Sequence, residues 1–110
     1  MPNEINELIH EIDIFSQERD WDQFHNPKDL ALALSIEASE LLEAFLWKQP
    51  EEAKREKVKE ELADVINYAL LIASKYGFDV AEIVREKLAN NALKYPVEKA
   101  KGIATKYNEL

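Results

Sequence analysis

The chain has 110 residues, 46% of them hydrophobic, which is enough for one domain over residues 1–110 with a core so small that self-association would add useful burial. Its formal net charge of −8, from 22 acidic against 14 basic residues, opposes a phosphate backbone across the whole surface, so duplex nucleic acid is not an expected partner. Zero cysteines exclude disulfides and thiolate-held metals, and no apolar run approaches the roughly 20 residues of a membrane span, so no membrane partner and a cytoplasmic location are expected.

The opening Met1-Pro2-Asn3-Glu4 has neither the basic start nor the apolar stretch of a signal peptide. Ile5, Leu8, Ile9, Ile12 and Phe15 then recur at helical spacing and predict an amphipathic helix over about 3–17. Residues 18–25 hold Trp21 and Phe24 without a period and read as an ordered loop, closed by Asn26-Pro27 as N-cap and first-turn proline. A second helix is expected from Pro27 to about Trp47, where Pro50 stops it or follows its end. A third runs from about Glu51 to Tyr76 through Val58, Leu62, Val65, Ile66, Ala69 and Ile72, and Gly77 suits its left-handed cap. Asp79, with Glu82 three residues on, opens a fourth helix whose apolar face is Val80, Ile83, Val84 and Leu88; Tyr95-Pro96 ends it after about Lys94. The lysine-rich residues 97–110 read as an arm ordered by docking. Four helices with short connections give an all-α fold, a four-helix bundle with a C-terminal arm and antiparallel neighbours as the default.

Two of these helices carry acids on the wrong side. On a wheel of about 100° per residue centred on Glu37, Leu30, Leu34, Leu41 and Ala44 fall within roughly 60°, so Glu37 lies inside the apolar stripe, with Glu40 at its edge. Glu61 sits in the same way among Val65, Tyr68 and Ile72, with Asp64 at the edge. Unpartnered buried carboxylates cost several kcal/mol, and no Lys or Arg shares either stripe near these positions. A hard divalent cation offsets that cost. An oxygen-only set suits Mg²⁺ or Mn²⁺, and Mg²⁺ usually shares its coordination with water and substrate phosphates. Either pair alone is commonly just a solvated face; two pairs on apolar stripes, twenty-odd residues apart, favour a metal site. The rival reading is a non-catalytic helical bundle, a binding or scaffold protein whose inward acids meet lysines of a partner.

The motif Glu37-x-x-Glu40 followed by Glu61-x-x-Asp64 resembles the divalent-metal motif of the MazG-like all-α nucleoside triphosphate pyrophosphohydrolases. Glu18-Arg19-Asp20-Trp21-x-Gln23-Phe24-His25, Leu41-x-Glu43-x-Phe45-x-Trp47, Glu60-Glu61-Leu62-Ala63-Asp64-Val65 and Asn91-x-x-Lys94-Tyr95-Pro96-Val97 resemble its dCTP pyrophosphatase branch, over about residues 15–108. The resemblance implies hydrolysis of a nucleoside triphosphate, such as dCTP or a modified pyrimidine deoxynucleotide, to the monophosphate and pyrophosphate. It also implies Mg²⁺ on Glu37, Glu40, Glu61 and Asp64, a pocket lined by His25, Trp47, Tyr68, Lys87, Asn91 and Tyr95, and a homotetramer built from two dimers. The family often carries a further glutamate before the first motif residue; here that residue is Ile36, which leaves the number of ions open.

Spacing alone reaches part of that set. Tyr68 is one turn beyond Asp64, and Trp47, seven residues past Glu40, falls on the same side of the expected helix, where an indole could stack on a base. Asn91 continues the inward stripe of Val84 and Leu88, and its amide needs a partner there. Lys87 and Lys94 can meet phosphate oxygens or simply complement a helix dipole, and His25 lies in the aromatic loop. Glu7-x-x-His10 is a single copy of a motif that di-iron bundles need twice, so His10 is read as solvated.

Overall fold

A computed structural model describes residues 3–110, which form helices and turns with no strand among them. The all-α class expected from the sequence is what the chain adopts. Two compact units divide it, one ending at Phe78 and one running from Asp79 to Leu110.

The first unit opens with α1, Glu4–Glu18. The Asn3 side chain accepts from the Ile5 and Asn6 amides, and Glu4 and Glu7 place negative charge against the positive end of the dipole. The chain then turns through Asp20, at φ 57°, a left-handed conformation that aspartate tolerates better than most residues. Gln23 Nε2 fixes this turn by donating to the Asp20 carbonyl at 2.9 Å and to its carboxylate at 3.0 Å. A single 3₁₀ turn follows at Asp22–Phe24.

Helix α2 covers Pro27–Glu43, with Asn26 accepting from the Asp29 amide at 2.9 Å and Pro27 in the first turn. It stops four residues short of the expected end. The amides of Ala44, Phe45 and Leu46 bond the carbonyls three residues back, so the last turn tightens, and Trp47 at φ 61° breaks the helical path. A 3₁₀ turn at Pro50–Glu52 intervenes before α3, Arg55–Tyr76, which therefore starts four residues later than the charge pattern implied. Gly77, at φ 68°, caps α3: its own N–H bonds Ser74 O and the Phe78 N–H reaches back to Ala73 O, a closure that favours glycine at the left-handed position.

Helix α3 is the spine of this unit, packing along α2 on one side and against α1 on another. Leu30, Ala44, Leu70, Leu71 and Ala73 are the buried apolar residues; Leu30, 1% exposed, contributes about 2 kcal/mol by transfer from water. Two polar links reinforce the contacts of α3. Ser74 Oγ donates to Asp13 Oδ2 of α1 at 2.7 Å, and Lys75 Nζ meets Asp22 Oδ1 at 2.6 Å, pinning the 3₁₀ turn to α3.

The second unit contains α4, Val80–Lys94, and a short α5, Val97–Ala100. Asp79 caps α4 by accepting from the Glu82 amide at 3.0 Å. The arm is more ordered than its composition implied: Tyr107, in a 3₁₀ turn at Tyr107–Glu109, packs edge-on against Tyr95 with ring centroids 6.0 Å apart, and Lys94 Nζ lies 4.8 Å from the Tyr107 ring centre. No described side chain of α4 is fully buried, and Val84, Leu88 and Leu93 are exposed.

Candidate metal centre and adjoining cavity

The packing of α2 against α3 sets the positions of the inward acids. Glu37 from α2 and Glu61 and Asp64 from α3 bring carboxylate oxygens within 4.8 Å of one another. Glu61 is 6% exposed, Glu37 half-buried and Asp64 open to solvent, so the cluster grades from core to surface. Glu40, one turn after Glu37 and half-buried, stands beside this trio. The Glu37 carboxyl is pushed up to about 7, chiefly by its hydrogen bond with Glu40, then by burial, then by the charges of Glu40, Asp64 and Glu61.

Two oxygens carry the chemical argument for a cation. Glu37 Oε2 and Glu61 Oε2 are both buried with no hydrogen-bond partner. Unpaired acceptors in the interior are costly, and here they belong to carboxylates crowded against other carboxylates. A hard divalent ion satisfies both conditions at once, and the oxygen-only donor set fits Mg²⁺ or Mn²⁺. The expectation that no lysine serves these acids fails at one point. Lys57, four residues before Glu61, holds Glu61 Oε1 at 2.7 Å because i and i+4 side chains meet on a helix surface. On the wheel Lys57 falls about 40° from Glu61, the same offset as Val65 on the other side, so it lies within the stripe that was read as free of cations.

Asp64 also lines a cavity of about 560 Å³ enclosed by α1, the aromatic loop and α3. Its walls are largely apolar, including Phe15, Trp21 and Leu71, and its polar groups include Glu11, Ser16, His25, Asn67 and Tyr68. Tyr68 keeps its proton: burial raises its phenol first, and the charges of Glu37, Asp64 and Glu40 raise it further. A half-buried phenol next to carboxylates is thus a standing hydrogen-bond donor. His25, which also lines this cavity, has its Nδ1 buried without a partner.

Of the other sequence-chosen pocket residues, one belongs to the first unit and four to the second. Trp47 is 94% exposed and does not line this cavity, since α2 ends at Glu43 and the wheel that placed Trp47 beside Glu40 no longer applies. Lys87, Asn91, Lys94 and Tyr95 belong to the second unit, Asn91 half-buried on α4 and Tyr95 against Tyr107. The sequence reading passed over Ser16, 3% exposed, and Asn67, next to Tyr68. Ser16 is one residue past the apolar set of α1, a position that periodicity alone reads as a helix end. Trp21 was visible only as part of an aromatic loop.

Comparison with known proteins places these features in a lineage. The MazG-like family profile matches residues 32–110. Bovine dCTP pyrophosphatase 1 is 39% identical over 104 residues, covering 87% of this chain and 62% of the relative, and the human protein of that name is 38% identical over 104 residues, covering 87% and 61%. The chain therefore spans about three-fifths of the length of the curated relatives it matches. The crystal structure of a pyrophosphatase from Archaeoglobus fulgidus superposes with a TM-score of 0.80 at 34% identity, over 87% of this chain and 95% of that one. With the paired carboxylates on adjacent helices and the all-α fold, these matches establish that the chain belongs to the MazG-like family.

Proposed function

We propose that this protein is a divalent-metal-dependent pyrophosphohydrolase that cleaves a nucleoside triphosphate to the monophosphate and pyrophosphate, acting as a single MazG-like domain. The observation that carries the reading is the convergence of Glu37, Glu61 and Asp64, with two buried carboxylate oxygens unpaired, at the edge of a cavity of about 560 Å³. That volume lies in the usual range for small-ligand sites. The names of the similar proteins, dCTP pyrophosphatase 1 and a pyrophosphatase, support the same reaction and favour dCTP or a modified pyrimidine deoxynucleotide as substrate.

Glu37, Glu40, Glu61 and Asp64 would hold Mg²⁺, which when bound supplies Lewis-acid polarisation of the phosphoryl group and neutralises its charge. Glu40, half-buried one turn after Glu37 and close enough to perturb it, is assigned as the acceptor of the attacking water's proton. Tyr68 offers its O–H toward the same region, and Trp21 and Phe15 give apolar surface for a base, with the free His25 Nδ1 as a polar contact. Attack at the α-phosphorus is the reading that gives monophosphate and pyrophosphate in one step.

We also propose a homo-oligomer, a tetramer of two dimers, working in the cytoplasm where nucleotide pools lie. The exposed apolar residues of each unit, Ile36, Leu42, Leu62 and Ile66 in the first and Val84, Leu88 and Leu93 in the second, support association. Chromatographic product analysis with each natural triphosphate, in Mg²⁺ and in EDTA, tests the reaction. Monophosphate with equimolar pyrophosphate only in Mg²⁺ is the expected result. Release of inorganic phosphate alone would make it a terminal phosphohydrolase, and indifference to both nucleotide and metal would favour a binding or scaffold bundle.

A further inference from the structure

Lys57 lies in the first turn of α3, one turn ahead of Glu61, with its Nζ 2.7 Å from Glu61 Oε1. The pair is unequal in its surroundings: the Lys57 side chain is 53% exposed and that of Glu61 8%. The second oxygen of the same carboxylate, Oε2, is buried and has no hydrogen-bond partner, and Glu61 is one of the three residues whose oxygens converge within 4.8 Å. Glu61 therefore stands between an ammonium at the surface and an electron-rich cluster in the interior.

We propose that Lys57 is a positioning residue of the metal centre, a built-in counter-cation that holds the Glu61 carboxylate oriented when no metal is bound and opposes the divalent ion when one arrives. The proposal rests on the metal-site reading above. Its logic is a thermodynamic cycle. In the metal-free protein Lys57 is the only cation paired with Glu61 among the described residues, so its charge offsets the burial of that carboxylate. Once a divalent ion shares Glu61, the carboxylate is already compensated and the ammonium faces a like charge across a single side chain. Lys57 thus stabilises the metal-free state more than the loaded one, and by reciprocity it weakens ion binding by the same factor.

Other roles for Lys57 make different forecasts. A purely structural ion pair would stabilise both states equally and leave ion affinity unchanged. A lysine serving only substrate phosphate would leave Mg²⁺ binding unaltered when no nucleotide is present. The test is calorimetric titration of Mg²⁺ into the full chain without nucleotide, together with thermal midpoints with and without Mg²⁺, for the wild type, Lys57→Met and Lys57→Arg. Lys57→Met should lower the metal-free midpoint, enlarge the midpoint shift given by Mg²⁺ and tighten Mg²⁺ binding about three- to tenfold, the scale of a screened interaction between neighbouring charges. Lys57→Arg keeps the charge and should track the wild type. Lys57→Gln, which retains an N–H donor for Oε1, carries the same expectation as Lys57→Met and guards against loss of fold. Wild-type binding of Mg²⁺ with unchanged or weaker binding in the neutral variants overturns the proposal alone. A wild type that neither binds Mg²⁺ nor shifts its midpoint overturns the metal-site reading, and the proposal with it.

Discussion

Two residues show how side chains here are held against their own preferences. Glu37 has its proton affinity raised from 4.5 to about 7, so the metal-free native state binds a proton that the unfolded chain releases across that window. A raised carboxyl makes its most favourable contribution below the unfolded value and loses it as pH climbs toward the folded one. The metal-free thermal midpoint should therefore contain a component that falls between about pH 4.5 and 7, and Glu37→Gln should remove it when the two melting series are compared. A difference between the two that stays flat through this window would contradict the assigned coupling. Trp47 presents the opposite case, a large side chain 94% exposed on a left-handed backbone that costs roughly 1–2 kcal/mol for a residue with a Cβ. Trp47→Gly should raise the midpoint by a few degrees. If the indole also serves the nucleotide, as the family resemblance implies, the same variant should raise KM several-fold; a lowered midpoint would show that the indole is packed and not strained.

At the level of elements, the aromatic loop depends on a single long-range tie. Lys75 on α3, 26% exposed, meets Asp22 at 2.6 Å, and this contact holds the turn that carries Trp21 and His25 over the cavity. The lysine draws the Asp22 carboxyl below its usual value through the hydrogen bond first and its charge second. The bond is too exposed to matter much for stability, since water screens such pairs. Its effect belongs to substrate affinity: Asp22→Asn and Lys75→Met should each raise KM about three- to tenfold with kcat little changed, and the double variant should be no worse than either single one. Additive losses in that cycle would mean that the two residues act separately.

The same elements show what the sequence could and could not convey. Glu37, Glu61 and Asp64 were legible because a carboxylate on an apolar stripe contradicts its neighbours, and the i, i+3 spacing fixes which face it takes. Asn3, Asn26, Asp79 and Gly77 were readable as caps or stops from local chemistry, although Asn3 was passed over. The end of α2 was not readable. Residues 44–47 are all competent helix formers, and what ends the helix is a switch to bonds three residues back, which leaves no trace in periodicity. That switch moved Trp47 off the face assigned to it. Lys57 was legible by the same wheel and was passed over: four residues before Glu61, it shares that residue's helix face.

For the whole molecule, burial and activity point the same way. Each unit leaves apolar side chains in water, among them Ile66 at 47% in the first and Leu93 at 83% in the second, more than an isolated domain of this size would be expected to leave uncovered. The protein should sediment as an oligomer, and Leu88→Lys or Ile66→Lys should shift it toward smaller species; a wild type that sediments as a monomer at micromolar concentration would refute the proposed assembly. The central claim is that the carboxylates joined by α2 and α3 perform the hydrolysis, and Glu61→Gln tests it most directly because the amide preserves shape while removing the charge. Turnover of dCTP in Mg²⁺ by wild type and variant, with the helical circular dichroism of each recorded alongside, is the measurement. The account predicts at least a hundredfold loss of turnover with the helical signal retained, on the scale expected when a charge-stabilising group is removed. A folded Glu61→Gln protein that hydrolyses dCTP at the wild-type rate would contradict it.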